Sequence, residues 1–310
     1  MARIAMKKTD EITVEQAFSL FFRAASARGV TDKTLETYKH HSRALFKRCD
    51  GSVPLGELTR HDLEDWINTL REGELSEQSI KSYTRTLKVF FSWCNAEGYT
   101  TLNIPIYRAK ETVKETYTDE ELMRLLQKPD AASGFCAYRN WVIINFLLDG
   151  GCRAATVRNI QNQDVDLERR QIILRHTKNG RPQVIPLCNA MVGILKTYMA
   201  VRGGGMSDYL FCNEFGDFLT ESGLRQAIAK YNRAHGVERT SIHAFRHTFA
   251  RKFLIDCGGD AFTLQKTMGH STLAMTRHYC NIFNDDMVEK HEQFSPLAQL
   301  SKTQKRAIKM

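Results

Sequence analysis

Between Ser241 and Ala250 the chain reads Ser-Ile-His-Ala-Phe-Arg-His-Thr-Phe-Ala. On a helix, His243 and Arg246 are i, i+3 neighbours on one face, while Phe245, Phe249 and Phe253 supply the apolar side. Ser241 stands where a side chain can cap the helix start. A helix N-terminus that offers amides, an imidazole and a guanidinium together is a good anion site. A second cluster, Met268-Gly-His-Ser-Thr-Leu-Ala-Met-Thr-Arg-His-Tyr279, follows about 25 residues on. Gly269 can end one helix with positive φ and Ser271 can cap the next, which leaves His270 in the tight corner between them. Arg153, in Gly150-Gly-Cys-Arg-Ala-Ala-Thr156, emerges after the break that ends an apolar segment. Lys178 sits beside Asn179-Gly180. Taken singly, each has a plainer reading: a surface His-Arg pair, a core tyrosine with a wet hydroxyl at 279, an internal salt bridge at Arg153, a solubilising charge at Lys178.

The elements that must position these residues are mostly helices. Thr13-Val-Glu-Gln16 reads as a capping box, followed by Val14, Ala17, Phe18, Phe21 and Phe22 at helical spacing up to Gly29. A second helix follows Thr31, with Leu35, Tyr38, Ser42, Leu45 and Phe46 on one face. A third begins near Thr59 with Leu63, Trp66, Ile67 and Leu70, and a fourth follows Ser76 with Ile80, Tyr83, Leu87, Phe90, Phe91 and Cys94 inward. No segment among these first hundred residues alternates like a strand, so a small helical bundle is expected. Two of its helices carry outward basic stripes, Lys39, Arg43 and Lys47 on one, Lys81, Arg85 and Lys88 on the other. Either stripe alone is an ordinary solvated face; two in one bundle fit a clamp on phosphates and grooves.

Residues 101–117 hold proline, many charges and weak periodicity, and read as a linker. Thr118-Asp-Glu-Glu121 is another capping box and opens a second domain over 118–296. Residues 138–149 are apolar nearly all round, which marks a buried helix. Gln171 to His176 and Gln183 to Leu187 read as short strands flanking the Asn-Gly turn. Helices are expected at about 189–201, 220–234, 241–256, 260–268 and 271–283, and 297–310 is a basic tail. The fold class is therefore mainly α: an N-terminal helical bundle over 1–100, then a mostly helical domain with a small antiparallel sheet.

Composition sets bounds. The 310 residues carry 44 Lys+Arg against 35 Asp+Glu, a net charge of +9, which permits a nucleic-acid partner without proving one. Residues 1–112 hold 17 basic and 15 acidic residues, so most of the excess belongs to the second part of the chain. No apolar run approaches the ~18 residues of a membrane span, and no secretory h-region follows Met1. Eight cysteines occur with no C-x-x-C half-site, so buried free thiols are expected rather than zinc or disulfides. No phosphate-binding P-loop and no Asp/Glu metal cluster is visible, and neither a cofactor nor a metal is expected.

In order and context, GGCRAATVRNI (150–160), HTKNGRPQVIPL (176–187), HAFRHTFA (243–250) and MGHSTLAMTRHY (268–279) resemble the boxes of the tyrosine recombinase, or phage integrase, family. The resemblance spans about 117–283, and the bundle before it looks like that family's SAM-like core-binding domain. It implies Arg153, Lys178, His243, Arg246, His270 and Tyr279 as catalytic residues, with Tyr279 the nucleophile of a 3′-phosphotyrosyl link and Lys178 the general acid. The family often has an acid three residues after the first Arg; Thr156 stands there instead.

The implied partners are a double-stranded DNA recombination site and other copies of the chain, two per site and four in the synapse, together with accessory recombination factors, in the cytoplasm and on the nucleoid. About a dozen residues precede Thr13, too few for an arm-binding domain. The expected role is integration, excision or inversion of a mobile element. The alternatives are a Xer-like dimer resolvase, a relaxase resembling type IB topoisomerases, and a DNA-binding regulator without catalysis.

Overall fold

The computed structural model describes residues 12–73, 75–105, 107–108, 115–174, 183–270, 272–273, 276, 291 and 295–297. The chain divides into two compact units, Met1–Thr112 and Val113–Met310.

Among the described residues the first unit holds four helices: α1 (Val14–Ala27), α2 (Asp32–Phe46), α3 (Arg60–Glu72) and α4 (Glu77–Ala96). Their starts follow from sequence. Thr13 and Gln16 form a reciprocal capping box on α1, Thr59 and Asp62 another on α3, and Thr31 and Ser76 cap α2 and α4. The apolar faces meet in a main core in which the rings of Phe18 and Phe90 stack at 3.7 Å, with Leu70, Ile80 and Tyr83 in a smaller cluster. Burying such a ring contributes about 1.5–3 kcal/mol. His41 of α2 is hydrogen-bonded through Nδ1 to Thr86 Oγ1 of α4 at 2.7 Å, an internal tie inside that core. Arg43, Lys47, Arg85 and Lys88 are exposed and Lys39 and Lys81 half-buried, so both stripes face outward as expected.

The second unit opens with α5 (Asp119–Leu125), capped by the Thr118–Glu121 box, and α6 (Gly134–Gly150). Val142, Ile143, Ile144, Phe146 and Leu147 of α6 are wholly inaccessible, and this helix is the spine of the core. After it come α7 (Ala154–Asn159) and three antiparallel strands in the order β1 (Val165–Asp166), β2 (Gln171–Leu174), β3 (Gln183–Pro186). Ile172 pairs with Ile185, and both point into the core. Then follow α8 (Asn189–Arg202), α9 (Glu221–Ala234), α10 (Ile242–Leu254) and α11 (Ala261–Met268). Helix α10 lies against α6, and α11 against α10 and β3. No helix among the described residues is long and apolar enough to cross a membrane.

The sequence reading omits α7 and β1, which are six and two residues long and too short to show a period. Ile104 and Tyr117, which it places in the linker, are buried, each within its own unit. Cys188 and Cys257 are exposed, contrary to the expectation of buried thiols, whereas Cys94, Cys152 and Cys212 are buried; all the described cysteines are free. Cys188 stands at the N-cap of α8 and its Sγ accepts from the Met191 amide, a local task that does not require burial. The helix expected over 271–283 and the basic tail lie essentially outside the described residues.

Candidate active site

The site grows from three chain reversals that meet. The first is the end of α6, where Gly151 takes the left-handed conformation at φ 58°. A Cβ there would lie 2.3 Å from Cδ1 of Phe249 on α10, so only glycine lets the two helices close. The next residues turn back, and Arg153 occupies the N-cap position of α7. The second reversal is at Gly269, φ 63°, which ends α11 and throws His270 inward. The third is the start of α10, which presents His243 and Arg246.

Tyr117 aims α10. Its ring stacks on Phe245 at 4.2 Å, its amide donates to Thr248 Oγ1 at 2.8 Å, and its hydroxyl bonds near the helix start at the Arg239 and Ser241 carbonyls. Arg239 completes the brace by donating to the Thr116 carbonyl. Ser241 occupies the N-cap position, but its side chain makes no capping hydrogen bond. The tertiary brace replaces the local cap that the sequence suggested.

Arg246 is buried and reaches both glycine corners. Its Nη1 donates to the Gly151 carbonyl at 2.5 Å, and its Nη2 donates to the Met268 carbonyl at 3.1 Å and to Nε2 of His270 at 2.5 Å. Arg153 Nη1 donates to the Gly269 carbonyl at 3.3 Å. These carbonyls belong to the ends of α6 and α11, the negative ends of helix dipoles. They orient the guanidiniums without cancelling their charge as a carboxylate would. His270 is also bonded through Nδ1 to the buried hydroxyl of Thr276 at 2.8 Å. Burial first, and then the charges of Arg246 and Arg153, hold its imidazole down at about 4. Burial likewise pushes the Cys152 thiol, beside the same arginines, up to about 12, so it is an inert wall.

Of the six residues singled out by sequence, the structure therefore brings together Arg153, Arg246 and His270. His243 is exposed on the first turn of α10, and no hydrogen bond joins it to those three among the described residues. Lys178 and Tyr279 lie outside the described residues, as does Ser271. Sequence reasoning missed Thr276 and Gln183. Thr276 lies three residues before Tyr279, a helical spacing that could have flagged it. Gln183 opens β3 and packs on Gly269, where a Cβ would lie 2.4 Å from its Nε2. No local pattern announces such a contact.

Two expected results arise here. Gly269→Ala forces a left-handed alanine, which costs about 1–2 kcal/mol, and displaces Gln183. We expect a fall in unfolding free energy of that size by urea titration. The second concerns pH. Between the ordinary value of 6.5 and about 4, folded His270 binds less proton than the unfolded chain does. Its contribution to stability is thus complete above 6.5 and is lost as pH falls toward 4. The melting temperature should drop across that window, and the drop should be smaller in His270→Gln.

Two guanidiniums and an imidazole thus meet at helix ends, a cluster whose charge and donors suit an anion such as a phosphodiester. The description "Phage integrase family" matches residues 115–285, and "Phage integrase, N-terminal SAM-like domain" matches residues 18–100. Tyrosine recombinase XerC of Oceanobacillus iheyensis is 26% identical, covering 84% of this chain and 88% of its own. Tyrosine recombinase XerD of Staphylococcus haemolyticus is 24% identical, covering 87% and 95%. The Tn1549 transposon integrase (residues 82–397), solved with transposon right end DNA, superimposes with a TM-score of 0.74 at 23% identity over 92% of this chain and all of that one. A lambda integrase dimer bound to a core site gives 0.69 at 20% identity over 86% of this chain and 77% of its own. The chain belongs to the phage integrase family. It is accordingly an enzyme of the tyrosine recombinase class, and the bundle and the helical second unit are the architecture expected of it.

Proposed function

We propose that this protein cuts and rejoins duplex DNA at specific sites through a 3′-phosphotyrosyl link on Tyr279. The observation that carries the reading is the convergence of Arg153, Arg246 and His270 at the ends of α6 and α11. Arg153 and Arg246 fork onto the non-bridging oxygens of the scissile phosphate, where charge is spread in the transition state. The Tyr279 oxygen attacks phosphorus, its proton leaving to His243 or solvent, as the bond to the 5′-oxygen breaks. Lys178 gives that oxygen its proton. The reverse sequence, with a 5′-hydroxyl from a second duplex, rejoins the strand; the ester link keeps the bond energy, so no nucleotide is consumed.

His270 has a two-state part in this. In the free protein, burial and then the charges of Arg246 and Arg153 keep it neutral. A phosphate between the arginines brings negative charge close and raises its proton affinity, turning an acceptor for Arg246 into a donor for the phosphate.

The outward stripes Lys39, Arg43, Lys47 and Lys81, Arg85, Lys88 hold the DNA backbone. Pairs of copies on one site and four in a synapse fit the dimeric and tetrameric DNA complexes solved for lambda integrase. We place the protein in the cytoplasm, on the nucleoid, and favour integration and excision of a mobile element. A Xer-like resolvase is the second reading, favoured by the XerC and XerD relatives that cover most of the chain.

The test is a library of duplexes with randomised half-sites, each nicked beside the scissile position so that a released fragment cannot return. Protein-linked strands are recovered after SDS, without ATP and with EDTA present, and sequenced. A defined sequence joined to protein through its 3′ end supports the reading. Adducts without sequence preference would indicate a relaxase, and no adduct at all would overturn the proposed covalent link on Tyr279.

A further inference from the structure

Three largely buried arginines of the second unit each face a carboxylate: Arg202 meets Asp208 at 3.4 Å, Arg158 meets Glu221 at 3.9 Å and Arg239 meets Glu121 at 3.3 Å. Arg139 on α6 differs. It is 4% exposed, yet its hydrogen bonds among the described residues all go to neutral acceptors. Nη1 donates to the Cys212 carbonyl at 2.7 Å, and Nη2 and Nε donate to Oδ1 of Asn140 at 2.8 and 3.2 Å. Each Nη keeps a second hydrogen. A charge taken out of water is costly unless something negative meets it. This guanidinium borders a cavity of about 670 Å³, walled by the α5–α6 connection, the first half of α6 and the last half of α9. That volume suits a small organic molecule. Lys128 and Lys230 stand exposed at its rim, and the one carboxylate among its described lining residues is Asp130. Asp130 is already engaged, its Oδ1 accepting from the Ser133 amide at 2.9 Å and the Ser133 hydroxyl at 2.6 Å. Beside the charges lie Ala137, Ala227, Ala234 and Tyr231, on whose ring His235 stacks at 4.1 Å.

We propose that this cavity is a second anion site, separate from the arginine cluster, and that it takes a small organic anion. The carboxylate or phosphate head of the ligand meets Arg139, Lys128 and Lys230, and its apolar or aromatic body lies against Tyr231 and the three alanines. A carboxylate or phosphate accepts from the free hydrogens of a guanidinium as a fork, in charge-assisted bonds that a neutral group of the same shape does not match. Asn140 is what leaves the site open to such a ligand. It orients Arg139 through a neutral oxygen, where an aspartate would cancel the charge within the protein itself. The cavity shares no residue with the cluster of Arg153, Arg246 and His270. Arg139 lies about 16 Å along α6 from Gly150, near the opposite end of the helix from that cluster.

The experiment uses the full chain without DNA, labelled with fluorotyrosine, with the Tyr231 signal assigned from Tyr231→Phe. Benzoate, phenyl phosphate and neutral benzamide are titrated in turn. Because the signal is local to the cavity, an anion held only at the arginine cluster does not move it. Benzoate and phenyl phosphate are expected to shift the Tyr231 signal saturably, the tighter of the two identifying the head group. Benzamide is expected to bind at least about tenfold more weakly, the usual loss with one charge-assisted hydrogen bond. Asn140→Asp keeps the side-chain size and sets a carboxylate on Arg139, so it should weaken both anions by a similar factor and leave benzamide unchanged. Lys230→Glu, at an exposed position outside the core, should weaken both anions several-fold. The proposal is overturned if neither anion shifts Tyr231 saturably, or if benzamide binds as tightly as benzoate, and neither result depends on whether Asn140→Asp folds. Anion affinities that stay at the wild-type value in Asn140→Asp or in Lys230→Glu overturn it as well, since charge then does not select the ligand.

Discussion

Tyr279→Phe is expected to bind the trapped half-site with wild-type affinity and to yield no protein-linked strand. The substitution removes one oxygen and leaves the ring. Binding draws on many phosphate contacts, to which a phenol hydroxyl adds little. The covalent step, in contrast, has no substitute for that oxygen. A phenol, with a pKa of about 10, ionises far more readily than an aliphatic hydroxyl. The hydroxyl of Thr276, which is hydrogen-bonded to the cluster, is buried and engaged by His270. Gel shift gives the affinity and denaturing electrophoresis gives the adduct. An adduct from Tyr279→Phe would move the nucleophile elsewhere, and peptide mapping of the linked strand would name it.

How much of this site could be read in the sequence depends on the range of the contacts that build it. Capping boxes at Thr13 and Thr118 act over three residues, and both form as written. The helical period of α4 and the short apolar runs read as strands at 171–176 and 183–187 are local patterns as well, and α4, β2 and β3 lie within a few residues of them. Gly151 and Gly269 were legible as breaks, because a left-handed residue after an apolar helix is a glycine signal.

What could not be read is what each break touches. Arg246 is 95 residues from the Gly151 carbonyl it holds and 22 from that of Met268. Arg153 is 116 residues from Gly269. Three segments must fold onto one another before these contacts exist, and no spacing within one segment encodes them. The order of motifs supplied the residues; only the packing of α10 on α6 and α11 shows that main-chain carbonyls are what aim the two arginines. The same applies to Thr156. The acid expected near Arg153 is missing from the sequence, but the structure shows Arg153 oriented by a carbonyl instead, an anchor that leaves its charge whole.

Arg246→Ala should reduce cleavage about 10²–10³-fold, the usual loss when one preorganised transition-state donor is removed, about 3–4 kcal/mol. Arg246→Lys should recover little of it. The guanidinium meets the Gly151 carbonyl, the Met268 carbonyl and His270 from one plane, and a lysine ammonium on a flexible stem cannot reproduce that fork. Arg153, half-buried and with one described carbonyl contact at 3.3 Å, is less tightly built in, so Arg153→Lys should be the milder change. DNA affinity should move little in any of these variants. The Arg246→Ala protein should also be less stable by about 1–3 kcal/mol, because two buried carbonyls and the acceptor nitrogen of His270 lose a donor. A second, independent signature follows from charge. Arg246 is one of the two cations that depress His270, so its removal raises the imidazole toward 6.5 and narrows the acid window over which stability falls. Cleavage rates on the trapped half-site test the first effect and melting curves between pH 4 and 7 the second. A variant that loses rate but keeps the wild-type acid limb would show that Arg246 serves the phosphate without setting the state of His270.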